Sequence, residues 1–211
     1  MNITKFGHSS LLVEEAGLRV LTDPGNYSTA QNEAEGIEII LITHEHQDHI
    51  DVGSLRAVLA KNPGAKILTN RGAGRILDEE GIAYELLEHG QRTLVRGVPI
   101  EGHGERHAII YPTVPPVPNT GYFIAERFFY PGDALYNPDR KVEILALPVA
   151  GPWTKLADSL DYAKRVGPRT CFPVHDGMLK VPGSVHRLPG DILPPLGITF
   201  TVIPEGNTTK L

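Results

Sequence analysis

The segment Thr43-His44-Glu45-His46-Gln47-Asp48-His49 follows directly on a run, Ile37 to Ile42, that is apolar but for Glu38. Three of the chain's nine histidines and one aspartate fall within the six positions 44–49. Packing does not explain that crowding, because imidazoles and a carboxylate taken out of water repel or go unpaired unless something cationic holds them. A divalent metal does so, since neutral imidazole and carboxylate are its ordinary ligands. In extended chain, residues two apart point the same way, so His44 and His46 can grip one ion. Asp48 and His49 come where the chain has to turn and can face a second ion nearby. The competing reading is a polar strand-to-helix loop with solvated histidines.

The elements that must position these residues are legible as alternation and punctuation. Short strands are expected over 3–6, 10–14 and 18–22, with Glu15-Ala16-Gly17 as a turn and Asp23-Pro24-Gly25 opening a polar loop. The run 37–42 is apolar but for Glu38 near its start, as expected of a central strand covered on both faces. Ser54 is expected to cap a helix carrying Leu55, Val58 and Leu59, which ends near Asn62-Pro63-Gly64. A strand over 66–69 and a helix over 71–80, stopped by Gly81, complete an α/β unit. Strands are then expected over 84–87, 93–95, 98–101 and 108–111. The stretch Pro112-Thr113-Val114-Pro115-Pro116-Val117-Pro118 excludes helix and central strand. A hairpin over 121–125 and 127–130 leads to Asp133. A buried strand over 142–147, a helix from Pro152-Trp153-Thr154 to Val166 and a strand over 170–174 lead to His175.

His44-Glu45-His46-Gln47-Asp48-His49 resembles the His-x-His-x-Asp-His signature of the metallo-β-lactamase superfamily. Later positions match that family's pattern in order: His103 or His107 in mid-chain, Asp133 in Tyr-Pro-Gly-Asp-Ala, and His175 in Phe-Pro-Val-His-Asp. The resemblance covers nearly the whole chain. It implies an α/β fold, a four-layer αββα sandwich over residues 1–211 as a single domain, with metals along one edge. Carried over by position, His44, His46 and one mid-chain histidine would bind a first divalent ion. Asp48, His49 and His175 would bind a second, and Asp133 would bridge them. Of the mid-chain pair His107 is preferred, because His-Ala-x-Ile followed by a proline loop and Asn-x-Gly-Tyr resembles a subgroup of small family members. His103 lies between two glycines in a turn. The donors suit Zn2+ first, with Mn2+ or Fe2+ also compatible.

Two further residues have both a chemical and a plain reading. Gly7-His8-Ser9 resembles the Gly-His near the start of the ascorbate-phosphate-lactonase-like branch; such a histidine can protonate a leaving group or hold an anion, or simply occupy a turn. Asp23 can accept a proton from a ligand histidine and fix its tautomer, or open an Asp-Pro turn. Asp51 and Asp176 adjoin motifs but receive no ligand role. Arg71, Tyr111, Asn119, Tyr136 and Trp153 are pocket candidates that nothing in the sequence separates from core or surface.

Composition narrows the partners. A hydrophobic share of 41% with 21% charged residues is that of a globular protein with a sizeable core. A formal charge of −5 argues against nucleic-acid partners, which call for a basic stripe. No window approaches the ~18 apolar residues of a membrane span, and the first residues form no apolar leader; the expectation is a cytoplasmic enzyme acting on a small molecule. The single cysteine, Cys171, is expected to be a small buried hydrophobe.

The resemblance implies hydrolysis: two ions holding a bridging hydroxide, oriented by Asp48, that attacks an ester or lactone carbonyl. A phosphodiester substrate is the alternative enzyme reading, and a non-enzymatic metal-binding protein the alternative outside enzymes. Redox di-iron members carry glutamate in place of the second motif histidine, which here is His46. One departure stands out: Ile50-Asp51-Val52-Gly53 replaces the usual Gly-Gly after the motif.

Overall fold

The computed structural model describes residues 1–211 and holds two seven-stranded sheets. The first is built from β1 (Asn2–Gly7), β2 (Ser10–Glu15), β3 (Leu18–Thr22), β4 (Ile39–Leu41), β5 (Lys66–Thr69) and β6 (Glu85–Leu86), side by side in that order. The second runs through β7 (Arg92–Val95), β8 (Val98–His103), β9 (Gly121–Ile124), β10 (Phe128–Tyr130), β11 (Ile144–Pro148), β12 (Thr170–Val174) and β13 (Thr199–Phe200). A last strand, β14 (Thr208–Lys210), returns to pair antiparallel with β1.

Period-two alternation divides each strand between two cores. Ile39 and Leu41 of β4 face the second sheet and pack with Ile3, Leu11, Val20, Tyr122, Tyr130, Phe172 and Val174. Ile40 and the following Ile42 face outward, against Leu55 and Val58 of α1 (Val52–Lys61) and Ala73 and Leu77 of α2 (Arg71–Glu79). On the far side, Phe123, Phe129, Leu145 and Leu147 pack under Leu160 and Ala163 of α3 (Leu156–Val166), with Val185 of α4 (Ser184–Ile192) alongside. The result is the four-layer αββα sandwich expected from the resemblance. Phe172 is completely buried in the central layer, where truncation to alanine costs about 3–5 kcal/mol. Cys171 is buried and unpaired, as expected. No helix is long and apolar enough to cross a membrane.

Three expectations are corrected. Asp51, not Ser54, caps α1: its carboxylate accepts the Ser54 N–H at 2.8 Å. Ser54 lies inside the helix, and its hydroxyl accepts from Gln31 Nε2, which ties down the loop after β3. Helix α3 starts at Leu156, where Asp158 accepts the Lys155 N–H, so Pro152 and Trp153 stay in the preceding loop. Residues 108–111 form no strand. The N–H of Ala108 goes to the Asp133 carbonyl, and Ile109 and Tyr111 stand mostly exposed.

Strands β3 to β6 run parallel, as do β10 to β13. Their carboxyl ends therefore open along one edge, where open α/β sheets gather their functional groups. Asp23 follows β3, His44 follows β4, Asn70 follows β5, Asp133 follows β10, Ala150 follows β11 and His175 follows β12.

Candidate metal centre

At that edge the histidines and aspartates meet in two groups, joined by a third, His44, His49 and Asp133, that overlaps both. His44, His46 and His107 each offer one ligand atom within 4.8 Å of the others. The Nε2 of His44 is 3.1 Å from Nδ1 of His46, and the His107 ring centroid lies 5.0 Å from that of His44 and 4.8 Å from that of His46. Asp48, His49 and His175, with His8, form the second group under the same 4.8 Å limit. Asp133 lies between the two. Its Oδ1 is 3.1 Å from His49 Nε2, and its Oδ2 is 2.8 Å from His175 Nε2, 3.3 Å from His107 Nε2 and 3.9 Å from His44 Nε2.

Hydrogen bonding decides which nitrogen of each ring is free. A carbonyl or carboxylate oxygen only accepts, so His107 Nδ1 donates to the Ala108 carbonyl (2.6 Å), His175 Nδ1 to the Ala150 carbonyl (2.8 Å) and His49 Nδ1 to Asp23 Oδ2 (2.6 Å). The Thr43 hydroxyl gives its one proton to Asp23 Oδ2 at 2.7 Å, so at 3.0 Å it accepts from His44 Nδ1. All four rings thus turn Nε2 inward. The Nε2 atoms of His49, His107 and His175 and the Oδ1 of Asp133 are buried without a hydrogen-bond partner. Each such orphan costs about 1–3 kcal/mol when left unpaired. A set of nitrogens and carboxylate oxygens converging in this way fits divalent cations.

The electrostatics lean the same way. Burial works against a charge on His175, yet Asp133 and Asp48 outweigh it and raise its pKa to about 9. His49 is likewise raised well above the ordinary range, by Asp133 and Asp23 against the effect of burial. Burial and the neighbouring His49 push His44 well below it. Burial tends to raise Asp133, but His49 and His175 hold it well below the usual carboxylate range. The cluster asks for positive charge at its centre.

His8 is arranged differently. The Gly177 N–H donates to its Nδ1 at 3.2 Å, which leaves the proton on Nε2 to be donated to Asp48 Oδ2 at 3.0 Å. In that tautomer the ring offers no lone pair inward and instead orients Asp48. Burial would raise Asp48, but the nearby His175, the hydrogen bond from His8 and the neighbouring His49 hold it well below the usual range.

The other sequence candidates separate cleanly. His103 stays outside the cluster, 3.4 Å from Glu101 and packed beside Phe123, Phe129 and Tyr136. Asp23 stands behind His49 and Thr43. Asp176 pairs with the buried Lys5 and with His186, each at 2.6 Å. Arg71 pairs with Glu88 on the surface, Tyr136 packs on His89 and Tyr111 is exposed. Trp153 and Asn119 do serve the site: the indole N–H donates to Asp133 Oδ2 at 2.8 Å, and Asn119 Oδ1 accepts the Asp133 N–H at 3.0 Å. Gly132 makes the second contact possible. Its φ is +63°, and a Cβ there would lie 2.4 Å from Asn119 Oδ1. Sequence reasoning missed Thr43, Tyr130 and Ala150. Only Thr43, adjacent to the motif, had a signal that pointed to it.

His46 and His107 border a small cavity of about 50 Å3, otherwise lined by Ala108, Ile110, Val114, Pro115, Pro116 and Val117. It contains no lysine or arginine. A larger polar cavity of about 270 Å3 beside Asn70, Arg71 and His89 includes no member of the cluster.

Known proteins resemble this chain over most of its length. The sequence profile of the β-lactamase superfamily domain matches residues 2–175. Protein Rv0786c of Mycobacterium tuberculosis is 34% identical over 210 residues, 97% of either chain. A UPF0173 metal-dependent hydrolase of Aeropyrum pernix is 26% identical over 85% of this chain and 84% of its own. A crystal structure from Parabacteroides distasonis, described as that of a metal-dependent hydrolase, superposes with a TM-score of 0.77 at 25% identity, covering 95% of this chain and 91% of its own.

Proposed function

The chain belongs to the β-lactamase superfamily, and on that footing we propose that it is a metal-dependent hydrolase that opens a carboxylic ester or lactone at a dinuclear centre. His44, His46 and His107 would hold one divalent ion, Asp48, His49 and His175 the other, with Asp133 shared between them. The observation that carries this reading is the inward convergence of buried, unpartnered Nε2 atoms around Asp133. Bound there, the ions supply activation of water near neutral pH and neutralise negative charge on the attacked carbonyl. The donor set suits Zn2+, and Mn2+ or Fe2+ are compatible with it.

The protein's own residues handle orientation and protons. Asp48, kept ionised by the Nε2–H of His8 and by the neighbouring His175 and His49, would accept a hydrogen bond from the attacking water and fix its direction. His8 holds Asp48 in place through Nε2–H. The apolar lining next to His46 and His107 receives an uncharged substituent of the substrate. That lining favours a carbonyl substrate over a phosphodiester, whose charge is ordinarily met by arginine or lysine.

The test is hydrolysis of aliphatic lactones and aryl carboxylic esters against bis(p-nitrophenyl) phosphate, by protein reconstituted with Zn2+ or Mn2+. Chelator-sensitive ester or lactone turnover, abolished in Asp48→Ala, is the expected result. Faster turnover of the phosphodiester would transfer the assignment to that class, and no turnover of any substrate by metal-loaded protein would contradict it.

A further inference from the structure

We infer that Trp153 is a positioning residue for the Asp133 carboxylate and that its indole reports directly on the state of the metal centre; this rests on the dinuclear reading above. Its N–H donates to Asp133 Oδ2 at 2.8 Å, and the residue is 9% exposed. The ring meets His107 and His175 edge-on, with centroids 5.7 and 5.6 Å away. A buried indole N–H needs an acceptor, and a donor-only group cannot itself become a ligand. Its effect is to stop rotation of the Asp133 carboxylate. With Oδ2 held by Trp153, Oδ1 is left without a hydrogen-bond partner, 3.1 Å from His49 Nε2.

The same short loop orients a second member of the cluster. Ala150 accepts the Nδ1 proton of His175, three residues before the indole. Between them Gly151 has φ +143°, and a Cβ there would lie 2.8 Å from Trp153 Nε1. Any side chain at 151 would push the indole away from Asp133. Residues 150–153 thus set both the tautomer of His175 and the rotamer of Asp133, though none of them belongs to the proposed ligand set.

Trp153 is the only tryptophan in the chain, so intrinsic emission comes from this one position without any labelling. The test uses the full-length protein and Zn2+ alone. Metal-free wild type is titrated while tryptophan emission is followed. Zn2+ affinity is then measured for wild type and Trp153→Phe by competition with a chromogenic chelator, and kcat and KM are compared at saturating metal. The expected result is a saturable emission change ending at the stoichiometry found by elemental analysis. Trp153→Phe, which keeps an aromatic ring but loses the N–H, binds Zn2+ about 10–100-fold more weakly, with kcat lowered and KM unchanged. Emission that ignores metal known to be bound, or a Phe variant with wild-type affinity, would overturn the inference while leaving the metal centre intact. Wild type that takes up no Zn2+ would overturn both together. The emission titration requires no variant, so a Trp153→Phe protein that failed to fold would still leave the inference exposed to refutation.

Discussion

Asp23 Oδ2 accepts the Nδ1 proton of His49 at 2.6 Å, and the same carboxylate accepts the N–H and hydroxyl of Thr43 and the hydroxyl of Tyr130. One fully buried side chain thereby joins the end of β3, the first turn of the metal motif and the opposite sheet. Asp23→Ala leaves those donors without an acceptor. It should cost about 3–5 kcal/mol of stability, as for a buried charged group whose partner is removed. Metal affinity should also fall about 10–100-fold, because His49 loses its fixed tautomer. Urea denaturation and chelator competition measure the two effects, and near-wild-type values in both would show that the contact is incidental.

His8 and Asp48 make opposite predictions. If Gly177 holds His8 as the Nε2–H tautomer, His8→Ala should keep full metal stoichiometry while kcat falls about 10–100-fold, the usual effect of losing a group that orients a ligand. Asp48→Ala should lose metal. A His8→Ala protein short of one metal equivalent would mean that His8 is a ligand.

The pH dependence follows from His175. In the metal-free protein its pKa stands at about 9, against an ordinary 6.5. A raised histidine pKa stabilises the fold fully below the unfolded value and ceases to as pH passes the folded one. The melting temperature of metal-free protein should therefore decline between about pH 6.5 and 9. Metal uptake expels that proton, so metal affinity should rise over the same interval. Thermal melts and metal titrations from pH 6 to 10 provide the check; a metal-free melting temperature that climbs across this window would go against the assignment.

Ile110 is 39% exposed and Val114 is 49% exposed, so Ile110→Ser should alter stability by no more than about 0.5 kcal/mol. If these side chains receive the substrate's apolar substituent, KM for long-chain esters should rise about four- to fifteenfold, as the loss of one or two buried methylenes at ~0.8 kcal/mol each implies. Short-chain substrates should be indifferent. Equal effects on both chain lengths would remove the loop from substrate recognition.

The cluster at 44–49 was legible because its chemistry is local: three histidines and an aspartate at fixed spacing after an apolar strand. Asp133 and His175 were legible because each ends a strand-like run, and parallel strands bring such ends to one edge. Trp153 and Asn119 were not, because their role is a contact with Asp133 across 20 and 14 positions of chain, and nothing local marks either of them. The run 108–111 carries strand-like residues, yet Ile109 and Tyr111 remain open to solvent and Ile110 lines the cavity beside His107. Its apolar character serves that cavity rather than a sheet. Helix α4 was unread because Pro189 lies inside it, and an internal proline ordinarily marks a break.

The most direct measurement of the central claim is metal content, by elemental analysis of protein prepared without chelator, for wild type and His46→Ala. Close to two equivalents in wild type, with metal lost in the variant, is the predicted result. No bound metal in wild type, and none taken up on reconstitution, would contradict the hydrolase reading at its root.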